Sequence, residues 1–423
     1  MKSHDPGTRT ARRRRGSAYA LVLTTALIVT VIGLSAVTIA RITRRAAQGA
    51  DDLTHARLHA LSAIEAGTWY MANDPTWRQT FPSGVWIQDQ PIGGGTMTLS
   101  GVDATDGDLT DAALDPIQMT GTGTNGVARY KLQVTLQAAA VPAGCLSSAV
   151  HAGQGIVFNA AVMQADQPVS CNGTMTASSS SVLADVEAVG TISGGNYVGS
   201  TLTGAAPRTM PDGTVFDYYV TNGTPIAYGA LPTNTSGAAE LTGVVLSPAS
   251  NPYGGTTNTD GIYVIDCLGL NLDVKDTRIV GTLVLLNPGP VVVVKHSINW
   301  APAVANYPAM LVDGDVAFSY DGSPLTEGPA NFNPPGTPYA GQEDTDITDT
   351  YPSVIQGLVY VAGSASIGGQ ATLDGVFITG ATITVTGTWT VNYDAAYLAD
   401  PPPGFLVAST MQVVPGTWRQ VVD

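Results

Sequence analysis

The stretch Arg12-Arg13-Arg14-Arg15-Gly16-Ser17-Ala18-Tyr19-Ala20-Leu21 opens a run that stays uncharged as far as Ala40, and it decides how the remaining sequence is read. From Gly16 to Ala40 there are 25 residues without a charge. As a helix rising about 1.5 Å per residue, such a run is about 37 Å long, enough to cross the roughly 30 Å hydrocarbon core of a bilayer. It is too long for the apolar region of a secretory signal peptide, and no Ala-x-Ala site closes it before Arg41. Six basic residues (Lys2, Arg9 and Arg12 to Arg15) precede the run, against three (Arg41, Arg44 and Arg45) just after it. The positive-inside rule then predicts a single-pass protein of the inner (cytoplasmic) membrane. Its N-terminus is cytoplasmic and its C-terminal domain periplasmic or extracellular.

Composition describes what lies beyond the membrane. Only 12% of the 423 residues are charged, while Gly (48) and Pro (27) are plentiful. Low charge with many Val, Ile, Thr and Gly predicts short strands and turns rather than helical domains. The net charge of −15 conceals a division, because ten of the 18 basic residues lie at or before Arg57. Beyond Arg57, eight basic residues face 30 acidic ones, a balance of −22. That surface disfavours nucleic acid as a partner. Three cysteines, Cys145, Cys171 and Cys267, allow at most one disulfide. Cys145 and Cys171 are separated by 26 positions, about one turn of a strand solenoid, so they are the candidate pair. The alternative is that all three are buried small hydrophobes. No CxxC or Cys/His spacing points to zinc.

No proline occurs between Pro6 and Pro75, so one helix is allowed from Ser17 to about residue 73. Past the membrane it becomes amphipathic, with Leu53, Ala56, Ala60, Ala63, Gly67 and Tyr70 recurring at spacings of three and four. So small a stripe permits close approach of another helix, as in a filament core. His55, His59 and Glu65 are expected on the exposed face, since no HExxH pattern surrounds the histidines.

The basic leader ending in Gly16, the apolar helix and its amphipathic continuation resemble the N-terminus of type IV pilins and pseudopilins. The segment Ala56-Arg-Leu-His-Ala-Leu-Ser-Ala-Ile-Glu-Ala-Gly67 is similar to the "AxxAAEAG" stretch of PilX-type minor pilins. The resemblance covers roughly residues 12–72. It implies that a prepilin peptidase cuts after Gly16, leaving Ser17 as the first mature residue. It also implies that the helix, through Leu21, Leu53, Ala56, Ala60, Ala63 and Gly67, packs against other pilins or pseudopilins in a filament. Most pilins carry Glu at the fifth mature position, here Leu21, and its absence is typical of minor, tip-proximal subunits. The alternative is an uncleaved signal anchor.

The expected organisation is a leader (1–16), a transmembrane and amphipathic helix (17–75), a small antiparallel sheet region (76–140) and a larger β domain (141–423). Period-two alternation places strands at 84–88, 96–102, 116–120 and 128–136. Helix plus small meander sheet is the architecture the resemblance implies. Asp103, Asp106, Asp108 and Asp111 crowd one loop and offer oxygen ligands for calcium, although the spacing is not that of an EF-hand; a solvated acidic turn is the alternative. No other cofactor is expected.

After residue 140 come brief apolar strands, each launched by Gly or Asp, such as those beginning at Gly155, Gly261, Gly281, Gly357, Gly375 and Gly387. Repeats near 20 residues, with continuous apolar runs, predict a right-handed parallel β-helix. A β-sandwich is the runner-up. Pro-rich stretches at 205–255 and 320–352 interrupt the coils, and Trp418 is expected to cap the last one. The fold class is therefore mainly β with a long N-terminal helix. Pectate-lyase-like and polygalacturonase-like chemistry needs clusters of Asp, Arg and His on one strand face. Asn258-Thr-Asp-Gly261 matches only a fragment of such a pattern, and there is no GxSxG motif or P-loop. The expected function is a non-catalytic minor component of a type IV pilus or type II secretion pseudopilus. The alternative is a membrane-anchored adhesin or glycan-binding protein, ahead of a polysaccharide lyase or hydrolase.

Overall fold

A computed structural model describes residues 14–74, 76–328 and 330–422, with side chains from Ser17 onward. The leader, up to residue 13, lies outside the described residues. The fold is mainly β with one long apolar N-terminal helix. The chain divides into two units, one running to residue 139 and resuming at 410, the other spanning 140–409.

In the first unit, helix α1 (Arg14–Asn73) is continuous over 60 residues. Proline and a side chain stop it together. Pro75 disfavours helical backbone in the residue before it, and the Asp74 carboxylate accepts from the amide and hydroxyl of Thr76 at 2.8 and 2.7 Å. Four strands follow in a meander: β1 (Gly84–Ile92), β2 (Gly95–Asp103), β3 (Ile117–Asn125) and β4 (Ala128–Pro142). All their pairings are antiparallel. The observed strands cover the predicted ones, except that β3 starts one residue later, and extend them.

The outer half of α1 lies on this sheet. Ala56, Ala60 and Ala63 have no exposed surface, and Ile64 packs with Leu99, Ile117, Met119 and Val134. The approach is close because both surfaces are small. A Cβ on Gly121 would collide with the Ala60 carbonyl, and one on Gly123 with the Ala56 carbonyl. The last residues close the same sheet, since Arg419–Val421 pair antiparallel with Gln133, Leu132 and Lys131 of β4. This corrects the expected C-terminal cap. Trp418 does not plug a coil and stays 42% exposed, because its neighbours complete the β4 edge instead. It also corrects the expected 141–423 boundary.

In the second unit the ladders between successive segments are parallel, which excludes two antiparallel sheets packed face to face. Three ladders run side by side. In the first, one position can be followed from rung to rung: Val264, Val284, Leu311, Tyr360, Ile378, His151, Ser170, Glu187, Leu202. The order along the stack is not the order along the chain. Residues 224–393 climb from one end, and the strand Ala365–Thr379 then pairs with Val150–Ala152, where the unit begins. The other two ladders cross the same seam, from Ile383–Val385 to Ile156–Phe158 and from Thr388–Val391 to Val162–Ala165. Residues 150–203 continue beyond it.

Inward-facing Val, Ile, Leu and Phe from all three ladders form one core that includes Ile265, Leu285, Val312, Val361, Phe377 and Trp389. A second core covers the outer face of the first ladder. Phe216 and Tyr219 pack there on Val264, Val284, Leu311, Tyr360 and Ile378 and so brace the stack. The Pro-rich stretch near 320–352 holds a small core of its own around Leu325, Phe332 and Tyr351. Buried Arg278 anchors it by donating to the carbonyls of Phe332, Thr337 and Pro338 at 2.5, 2.9 and 2.6 Å.

Candidate functional site

Three places carry chemistry beyond packing: the exposed part of α1, the loop between β2 and β3, and a polar groove on the parallel unit.

The apolar window of α1 is not buried against the rest of the chain, and it is long and apolar enough to span a membrane. Its polar side chains are satisfied internally. Thr24, Thr25, Thr30, Ser35 and Thr38 each donate to the carbonyl four residues earlier, at 2.7 to 2.9 Å. In hydrocarbon this matters, because an unmet hydroxyl there costs free energy that water would otherwise offset. Leu21 is 66% exposed and presents an aliphatic surface. Beyond the window stand Arg41, Arg44 and Arg45, then Asp51, which lies 3.6 Å from His55.

The predicted packing stripe divides. Ala56, Ala60 and Ala63 are covered by β3 of the same chain, while Leu53 stays half exposed. A Cβ on Gly67 would meet Met119 and Leu99, so it too faces the sheet. These small residues therefore serve contact within the chain. His59 also departs from expectation. It is 7% exposed beneath the sheet, with Nδ1 3.0 Å from the Thr124 carbonyl.

The β2–β3 loop gathers carboxylates, though not the set expected. One oxygen from each of Asp103, Asp106, Asp111 and Asp115 lies within 4.8 Å of the others. Asp108 stands apart, accepting from the amide and hydroxyl of Thr110 at 2.9 and 2.8 Å. Asp115 replaces it because the chain doubles back before β3. Hydrogen bonding with Asp106 raises the Asp111 pKa above the usual carboxylate value, the sign of two like charges in contact.

The cysteines form no site. All three are free and buried. The expected Cys145–Cys171 pair is not made, because Cys171 faces the inner core and Cys145 packs in the outer one. Burial pushes the Cys145 and Cys267 thiols up to about 12, which makes them poor nucleophiles.

Two further arrangements were hidden in the sequence. His151, Ser170 and Ser148 form a chain, with His151 Nδ1 2.8 Å from Ser170 Oγ and Ser170 Oγ 2.7 Å from Ser148 Oγ. It resembles a base and nucleophile, yet His151 and Ser148 have no exposed surface and Ser170 almost none. On the outside of the third ladder, Gln356, Asp374 and Asn392 occupy successive rungs, and Asn392 donates to Asp374 at 2.7 Å. With Tyr393 and Asp394 they line an open groove of about 400 Å³. Their only sequence signal is the 18-residue spacing of polar residues in otherwise apolar strands.

No family model and no curated protein matches the chain. Among solved structures, the competence-associated pilin ComZ from Thermus thermophilus aligns at 11% identity with a TM-score of 0.28, over 88% of this chain and 98% of that one. An ice-binding protein from the Antarctic ascomycete Antarctomyces psychrotrophicus aligns at 13% identity and a TM-score of 0.22, over 59% and 95% of the two chains. An ice-binding protein from an Antarctic biological consortium aligns at 11% and 0.22, over 60% and 91%. Values this low assign the chain to no family.

Proposed function

We propose that this protein is a non-catalytic, minor pilin-like subunit of a type IV pilus or type II secretion pseudopilus. In this reading it enters the filament through α1 at the tip or priming complex, and its second unit is wound as a right-handed parallel β-helix. The observation that carries the proposal is the single unbroken helix. Its first half is apolar and exposed, and its second half is sealed onto a four-stranded meander. A plain membrane anchor needs no rigid continuation into the head, whereas a filament subunit uses it to fix the head to the shaft. Leu21 supports the tip position, because a subunit above would find no carboxylate for its terminal amine. Leader removal by prepilin peptidase, and other pilins or pseudopilins as partners, belong to the same reading.

N-terminal sequencing of the mature protein is expected to begin at Ser17 where prepilin peptidase is active. Deletion is expected to reduce filament assembly while the major pilin stays in the membrane. An intact leader together with normal filaments overturns the reading. The polar groove over Gln356, Asp374 and Asn392 favours one alternative, a membrane-anchored glycan-binding adhesin. Normal filaments with lost surface attachment identify that case.

A further inference from the structure

The β2–β3 loop holds a charge arrangement that the chain alone does not balance. Asp103 ends β2 and is only 3% exposed. Its Oδ1 accepts from the Thr105 amide at 2.7 Å, while its Oδ2 is buried with no hydrogen-bond partner among the described residues. A buried carboxylate oxygen left without a donor is destabilising, so such atoms are rare unless a ligand meets them. The nearby cation is Arg78, whose Nη1 lies 3.8 Å from Oδ2, beyond hydrogen-bonding distance. The guanidinium is already engaged, donating to the Leu109 and Asp115 carbonyls at 3.3 and 2.5 Å.

One oxygen of Asp103 lies within 4.8 Å of one oxygen from each of Asp106, Asp111 and Asp115. Against the single positive charge of Arg78, four carboxylates leave a local excess of three negative charges when all are ionised.

We propose that Asp103, Asp106, Asp111 and Asp115 form a divalent-cation site of the calcium class. The donor set is all oxygen, which selects a hard cation over zinc or copper. The four oxygens lie within 4.8 Å of one another. A loop of carboxylates suits the variable coordination of calcium better than magnesium, which demands near-ideal octahedral geometry and dehydrates reluctantly. The ion joins the end of β2 to residues near the start of β3. Binding therefore pins the long loop of the meander and supplies the partner that Asp103 Oδ2 lacks. The inference is independent of the pilin reading.

The test uses the full chain in detergent, stripped with chelator and titrated with calcium chloride alone in a calorimeter. One ion per chain is expected, with a dissociation constant between about 10⁻⁶ and 10⁻³ M, together with a rise in unfolding temperature. Magnesium is expected to bind at least about tenfold more weakly. Asp111→Asn and Asp106→Asn, both exposed and therefore tolerated by the fold, are expected to weaken calcium by about tenfold or more. Asp108→Asn is expected to leave it unchanged. The absence of saturable binding up to about 10 mM calcium overturns the site. An effect of Asp108→Asn equal to that of Asp111→Asn also overturns it, because it reduces the binding to diffuse attraction by an acidic loop.

Discussion

The two parts of the parallel unit, residues 224–393 and 150–203, carry the same kind of rung but are joined differently. Within each part, chain connection and ladder pairing run together. At the seam, where Phe377–Thr379 meet Val150–Ala152, the ladder continues with no nearby covalent link. Its register is as regular as that between Ile262–Asp266 and Thr282–Leu286. The contrast teaches that rung-to-rung contacts set the stack, while connectivity decides only where the chain enters it. This is the behaviour of a one-dimensional array governed by nearest neighbours. The outer face differs across the seam. Below it the position that stacks on His151 is Val264, Val284, Leu311, Tyr360 and Ile378; above it are Ser170 and Glu187, then Leu202. His151 is the first of three polar residues that interrupt an otherwise apolar column.

The largest expected effect breaks the comparison directly. Phe377 fills the core at the seam, with its ring 5.0 Å from Trp389 and 5.5 Å from Phe318. Phe377→Ala is expected to cost about 3–5 kcal/mol and Leu285→Ala about 2–5 kcal/mol, measured by denaturant unfolding. If the seam variant loses under about 1 kcal/mol, well below that range, the seam is not packed as the sequential rungs are.

A middle-sized effect comes from acid. Burial, reinforced by Arg208, lowers the His151 pKa from 6.5 to about 4. The folded state thus holds the neutral ring, while the unfolded chain protonates first as pH falls. Stability is whole above about 6.5, declines as pH falls below it, and finishes declining near 4, for a total on the order of 3 kcal/mol. His151→Gln is expected to flatten the unfolding free energy across that window. An unchanged slope in the variant removes His151 as the cause. Hydrogen exchange at Val150–Ala152 reports whether the loss begins at the seam.

The smallest effect sharpens the same contrast at the surface. Lys295 pairs with Asp273 at 2.8 Å on adjacent rungs of the continuous part. Lys295→Ala is expected to shift stability by about 0–1 kcal/mol, and a larger loss would mean that rung contacts there rely on charge.

Much of this was legible. The uncharged run and the absence of proline to residue 75 marked α1, and alternation marked β1 to β4. Gly and Asp before apolar triplets marked the parallel rungs. The seam was not legible, because strands of similar alternation carry no label for their partner. The burial of Ala56 and Ala60 was misread for a related reason, since small residues suit a helix neighbour and a sheet neighbour alike. The distinguishing signal lay elsewhere, in Gly121 and Gly123. Two strand positions span about 6.7 Å and four helix positions about 6 Å, so the two glycines can face the two alanines in step. Asp108 and Asp115 could not be ranked by spacing, because only the path of the loop separates them.

Residues 410–423 return to the sheet that holds α1, with the Val414 amide donating to the Thr135 carbonyl at 2.9 Å. The parallel unit is thereby an insertion with both ends tied to one scaffold. A force pulling on that unit divides between two covalent crossings, at residues 139–140 and 409–410. Reaching α1 from the second crossing means stripping a strand from β4 along its length. The second tether therefore holds only while the pairing of Arg419–Val421 with β4 is intact.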